Sequence, residues 1–295
     1  MAPTTRSQSR RAARTGVLIK LLRAGRTHYD HTYTEGLNVC TQPWDDGDCT
    51  PGGLYACELR HLFNWFNLYP DITEVAWVDV PADAQVARFD TKIKASKLVL
   101  KGFMPIGEAA RLAIQVGVDV RAVEDHALRL ASRYGHTEVV RLLLQAGADV
   151  HAVNDYALCR ASENGHAEVV RLLLDAGANV HTDNDYALQC SSQFGHTEVV
   201  RLLLQAGANV HAGDDRALHW SSRYGYTEMV RLLIDAGADV HAGDDRALHW
   251  SSRYGYTEVV RLLLQAGADV HASDDRALRS ASHYGHTEVV RLLQG

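Results

Sequence analysis

With 295 residues, 46% of them apolar and 22% charged, the chain is too apolar to be disordered throughout and long enough for about two domains. No apolar run nears the roughly 20 residues of a membrane span, the N-terminus lacks an apolar signal core, and five scattered cysteines do not suggest a disulfide framework; a soluble protein of a reducing intracellular compartment is expected. The net charge of -6 is uneven: residues 1–104 hold 13 Lys and Arg against 11 Asp and Glu, whereas residues 105–295 hold 17 against 25, and all 17 are arginine.

In chain order, residues 1–15, rich in Ser, Thr and Arg and free of acids, read as a disordered basic tail or a nuclear targeting signal. Residues 16–104 read as an α+β domain. "VLIKLL", "EVAWVDV" and "KLVL" are strand-like, "ELRHLFNWF" has helical spacing, and Pro51-Gly52-Gly53 marks a turn. Cys40, Cys49, Cys57 and His61 fit C-x8-C-x7-C-x3-H, a four-ligand zinc spacing. The middle gap is long for such a site and the cysteines fall among strand-like residues, so no metal is assigned.

From residue 105 onward one unit is copied. Segments beginning at 121, 151, 181, 211, 241 and 271 align without a gap, a period of 30 residues. Residues 105–122, "PIGEAARLAIQVGVDVRA", fit the second half of the unit and are expected to cap the array as a half-repeat. Within a unit, Asp125 to Tyr134 predicts a short helix with Leu128 and Ala131 inward, and Gly135 reverses the chain. Thr137 to Ala146 predicts a second helix capped by its Thr, with Gly147 as the left-handed terminator. The apolar surface of Val139, Val140, Leu142, Leu143 and Leu144 is too wide for one helix pair, so the units must stack. The fold class is therefore mainly α, an α-solenoid preceded by a small α+β domain. The recurring His151, His181, His211, His241 and His271 cannot share an ion across repeats 8–10 Å apart, and are read as turn residues bonding backbone.

The residues "GHTEVVRLLLQAGADVHA" closely resemble the ankyrin repeat. That family's usual period is 33. Here the segment between Ala212 and Leu218 is three residues short, so the projecting β-hairpin finger is expected to be stunted. Repeats of 30 residues are similar to those of ankyrin families in giant DNA viruses, which implies a viral protein working in the host cytoplasm, in the nucleus or in the virion. Separately, "EGLNV" followed by "GGLYACE" resembles a stretch of the poly(ADP-ribose) polymerase-type transferases, with Tyr55 at the family's stacking tyrosine. Its usual His-Gly dipeptide is absent and no catalytic Glu stands out.

Columns that vary between otherwise uniform copies point to a partner. The resemblance places these first-helix positions on the concave face. The expected partner-binding residues are Arg133 and Tyr134, Gln193 and Phe194, Arg216, Trp220, Arg223 and Tyr224, Arg246, Trp250, Arg253 and Tyr254, and His283 and Tyr284. Trp, Tyr and Arg carry most binding energy at interfaces, so an elongated protein lying across several repeats is expected. The array is net acidic, which disfavours nucleic acid. No catalytic residues, cofactor, metal or small-molecule substrate are assigned. The final copy stops at "VVRLLQG", and self-association through that end is expected. The alternative is an ADP-ribosyltransferase-like enzyme at residues 16–104, with the repeats selecting its substrate.

Overall fold

The computed structural model describes residues 16–28, 31–47, 53–65 and 71–295. The expected basic tail and Cys49 lie outside them. Two compact units divide the chain, residues 1–149 and 150–295.

The first unit is built on strands β1 (Leu18–Arg23), β4 (Gly36–Val39), β5 (Leu54–Glu58), β6 (Ile72–Asp79), β7 (Val86–Arg88), β8 (Ile93–Ala95) and β9 (Lys97–Pro105). They form one sheet in the order β4-β9-β6-β1-β5-β8-β7, and every described pairing is antiparallel. Two-residue strands β2 (Thr27–His28) and β3 (His31–Thr32) make a separate ribbon. Leu22, Leu54, Ala76, Val78, Ile93, Leu98 and Leu100 belong to one apolar core. The predicted helix at "ELRHLFNWF" is a 3-10 helix, Leu59–Trp65, which buries Leu59, Leu62 and Phe63.

Two buried lysines were not expected. Lys20, on the central strand, is 3% exposed, with its ammonium 4.7 Å from the Tyr33 ring. Burial pushes its pKa down to about 7, partly offset by the neighbouring Cys57. Lys94 is fully buried and donates to the Gly47 carbonyl at 3.1 Å.

Where β9 stops, α1 (Ile106–Gln115) begins and packs on the 3-10 segment, β6 and β9. Its other neighbour is the second member of the pair α2 (Ala122–Arg133) and α3 (Thr137–Gln145), to which Arg111 is tied by an ion pair with Glu138 at 3.1 Å.

Five more pairs make up the second unit: α4 (Ala152–Glu163) and α5 (Ala167–Asp175), α6 (Thr182–Gln193) and α7 (Thr197–Gln205), α8 (Ala212–Tyr224) and α9 (Thr227–Asp235), α10 (Ala242–Tyr254) and α11 (Thr257–Gln265), α12 (Ala272–His283) and α13 (Thr287–Gln294). First helices stack on first helices and second on second, in chain order, giving two layers. Val199, Val200 and Leu203 and their equivalents are at most 1% exposed in the inner repeats. Truncating one such Leu to Ala would cost roughly 2–5 kcal/mol.

The finger expected to be stunted is reduced to a turn, and no strand occurs among residues 106–295. Three consecutive left-handed residues replace it in each unit, for example Asp183, Asn184 and Asp185 at φ 50°, 58° and 55°. Gly, Asn and Asp enter this conformation most readily, and they fill most of these positions. The third residue, Asp155, Asp185, Asp215 or Asp245, is buried, and its carboxylate accepts the backbone N–H of residue 179, 209, 239 or 269 at 2.7–2.8 Å. The recurring histidines bond here. Nδ1 of His151, His181, His211, His241 and His271 lies 2.7–3.3 Å from the Asp carboxylate four residues on. The first four rings therefore serve a buried carboxylate rather than the backbone, as a group taken out of water needs, whereas Asp275 in the last repeat is half exposed.

One further correction concerns the predicted cap. Thr137 is the first helical residue, so it makes no cap to the helix donors; its hydroxyl donates to the Gly135 carbonyl at 3.4 Å. The preceding His or Tyr occupies the cap position and packs instead on the glycine of the repeat before. A methyl group on Gly225, whose φ is 75°, would stand 2.8 Å from the Tyr256 ring, and Nε2 of His286 bonds the Arg253 carbonyl at 3.0 Å. The Gly-His and Gly-Tyr pairs are thus contacts between neighbouring units.

Candidate partner-binding face

The two identical segments at 211–228 and 241–258 bring their Trp, Arg and Tyr side chains together in the second unit. Trp220 lies beside Tyr224 at 5.9 Å between centroids, and Trp250 beside Tyr254 at 5.8 Å. Within a helix, residues four apart share a face, so the spacing Trp-x-x-x-Tyr fixes each stack. The arginine three residues after each Trp then reaches across to the next helix. Arg223 sits 5.4 Å from the Trp220 ring and 4.4 Å from the Trp250 ring. Arg253 sits 5.6 Å from Trp250 and 4.8 Å from Tyr284. Ring and guanidinium alternate without a break from Trp220 to Tyr284. Each such contact contributes about 0.5–2 kcal/mol, depending on desolvation.

Outward of this stack stand Tyr224, Tyr254 and Tyr284, each 41–46% exposed, and Phe194 at 49%. Tyr226 and Tyr256 flank the first two at 5.9 and 6.0 Å. Arg253, Tyr254, Tyr284 and His286 line an open cleft. His283 meets Tyr284 edge-on at 4.8 Å. Arg216 reaches Gln189, with Nη1 3.4 Å from Oε1. Half-buried Gln193 precedes Phe194, while Arg160 bonds Glu163 and lies over Tyr156 at 4.6 Å. Arg133 and Tyr134 belong to the first unit, where the guanidinium lies 5.4 Å from the ring.

Behind the tryptophans are His219 and His249, the other members of the duplicated His-Trp pairs and occupants of a column that varies between repeats. His219 stacks on Trp220 at 5.0 Å, and His249 is 5.0 Å from Trp250. Both pKa values are pushed down to about 4. For His219 the causes are burial first, then the positive fields of Arg246, Arg223 and Arg216 and of His249; for His249 they are burial, then Arg276 and Arg253. Nε2 of His219 and Nδ1 of His249 are buried with no hydrogen-bond partner. Both rings are neutral at pH 7.

Elsewhere, Tyr55 lies on β5 with the Lys92 and Lys94 ammonium groups 4.9 and 5.6 Å from its ring. Gly36–Val39, which contains most of "EGLNV", pairs with β9. Cys57 is buried, which pushes its thiol up to about 12, and Cys40 is partly buried. Among the described residues no three His, Cys, Asp or Glu side chains group to hold a metal ion. No described helix is long and apolar enough to cross a membrane.

A family model described as ankyrin repeats (3 copies) matches residues 128–214, 158–244, 211–274 and 242–295. Among curated proteins, an ankyrin repeat protein of Acanthamoeba polyphaga mimivirus is 28% identical over 132 residues, 42% of this chain and 40% of the relative. A second from the same virus is 32% identical over 127 residues, 38% of this chain and 40% of the relative, and a third is 26% identical over 126 residues, 41% and 63%. The chain spans about 40% of the length of the first two. Stacked helix pairs on a fixed period, together with a family match over more than half of the sequence, establish that this chain belongs to the ankyrin-repeat family.

Proposed function

We propose that the chain is a viral adaptor that holds another protein on the first-helix face of its array, without chemistry of its own. Ankyrin repeats serve protein–protein interaction, and stacked repeats present extended concave surfaces suited to it. The observation that carries this reading is the uninterrupted Trp220–Arg223–Trp250–Arg253–Tyr284 alternation with its exposed outer row of tyrosines. Residues of these types, held rigid before binding, lose little entropy on contact. Gln193, Phe194, Arg216, Arg246 and His283 extend the same surface along the repeats of the second unit, and Arg133 and Tyr134 are proposed as partner contacts on the first. The place of action is the host cell interior.

The test is capture from host-cell lysate by the full chain and by a variant with Arg223, Tyr224, Arg253 and Tyr254 all changed to Ala. Truncating interface anchors costs about 2 kcal/mol or more each, so recovery of a stoichiometric partner should fall at least 100-fold while the helical circular dichroism signal is kept. Undiminished capture by the variant would place the binding surface elsewhere.

A further inference from the structure

We propose that the segment seated on this face is an extended acidic peptide, carrying two carboxylates three residues apart that pair with Arg223 and Arg253. The proposal rests on the protein-binding reading above and adds the chemistry of the partner.

The second helices supply an internal comparison. There Arg171, Arg201, Arg261 and Arg291 each pair with the Glu three residues earlier at 3.3–3.5 Å. The array neutralises these outer arginines itself, Arg231 being the one equivalent without an ion pair among the described residues. On the first-helix face Arg223 and Arg253 make no ion pair among the described residues; what they touch are rings. From residue 181 onward the varying columns of that face contain no Asp or Glu at all. In a segment with 25 acids against 17 arginines, this face holds two neighbouring guanidinium groups without a carboxylate partner among the described residues.

The acids nearest in sequence, Glu228 and Glu258, lie five residues after Arg223 and Arg253 and are engaged on the second helices instead, Glu228 3.9 Å from Arg201 and Glu258 3.4 Å from Arg261. Asp215 and Asp245 are buried and committed to backbone and His partners. Asp214 lies in the left-handed turn ahead of the helix and makes no ion pair with Arg223 among the described residues. Stacking between rings also holds each guanidinium plane fixed, leaving its N–H edge for a carboxylate in bidentate geometry.

Spacing selects the conformation of the ligand. Both guanidinium carbons lie against the single Trp250 ring, at 4.4 and 5.6 Å. They therefore stand no more than about 10 Å apart, in keeping with packed helices. A polyproline II segment, the extended form with three residues per turn, advances ~3.1 Å per residue, so acids at i and i+3 lie on one face about 9 Å apart and can span this distance. On a helical ligand the same pair would be only ≈ 5–6 Å apart, short of the 8–10 Å between packed helices.

The experiment is fluorescence anisotropy of the full chain with three labelled twelve-residue probes at physiological salt. Two are peptides of identical composition, with Glu pairs three apart or adjacent; the third is a single-stranded DNA dodecamer. The spaced peptide should bind at least tenfold tighter than the adjacent one, and Arg223→Gln or Arg253→Gln should each remove that advantage. Equal affinity for the two peptides, or an advantage that survives both substitutions, would overturn the proposal, as would tighter binding of the DNA. Because the two peptides are compared on the unaltered protein, misfolding of a variant cannot mimic success. If neither peptide binds while the four-alanine variant still loses its captured protein, the acidic chemistry is wrong and the protein-binding reading stands.

Discussion

His219 and His249 sit where an added positive charge is least welcome, behind the indoles and among arginines. Their folded pKa values of about 4 lie below the ordinary 6.5. Between those two pH values the unfolded chain binds protons that the folded one refuses. The stability they contribute is therefore complete above pH 6.5 and is lost as the pH falls toward 4. From pH 7 to pH 5 the loss should be on the order of 1 kcal/mol per histidine, after allowance for solvent screening at this face. Urea melts of the chain and of a His219→Gln, His249→Gln variant check this, since the variant should show a correspondingly smaller loss over the same pH change. A parallel pH dependence in both proteins would assign the acid sensitivity to other groups. These rings were legible as a varying column, yet nothing in the letters His-Trp says that the imidazole is the inner member of the pair.

At the scale of the element, the left-handed turn explains a shortfall that the sequence shows only as a missing three residues. Asn154, Asp183, Asn184 and Asp214 carry the signal, since short polar side chains tolerate positive φ, but read beside the resemblance they suggest a shortened hairpin. Val123 and Val153 hide the pattern, for a β-branched residue at φ 53° or 54° is among the least expected occupants of that region. Val153 is 44% exposed, so its side chain returns little packing for the strain. Val153→Asn should stabilise the protein by about 0.5–1 kcal/mol, read as a higher urea midpoint. A lower midpoint would mean that the valine packs better than its exposure suggests. The helices themselves were readable because Val139, Val140 and Leu143 repeat on a 3.6-residue period six times over, and β1, β6 and β9 because they are long and apolar. β7 and β8 are three residues each, too short to stand out against loop, and the predicted helix at 59–65 tightens to 3-10 form directly after Glu58 ends its strand.

At the scale of the whole array, the repeats of the second unit pack on their neighbours in chain order, so stability is approximately a sum of local terms. Deleting residues 241–270 joins Val240 to His271 in the same register and should leave a folded protein. The denaturant m-value, which scales with the surface exposed on unfolding, should fall by about one-tenth, in proportion to chain length. One guanidinium rung disappears with the deleted unit, so the gain from spacing two acids three apart should vanish even though the fold survives. Aggregation or loss of cooperative unfolding would show that the repeats are less interchangeable than their matching letters imply.

The stack also has an optical consequence. Of the five tryptophans, Trp44, Trp65 and Trp77 fall in residues 1–149, and the second unit holds only Trp220 and Trp250. Every indole photon emitted by that unit therefore comes from a rung of the ladder, with a guanidinium against its face and a phenol beside it. Light absorbed by Tyr224 or Tyr254 has an acceptor within 6 Å. The recognition face carries its own dye, and whatever settles on it changes the colour and lifetime of the two chromophores that hold it together.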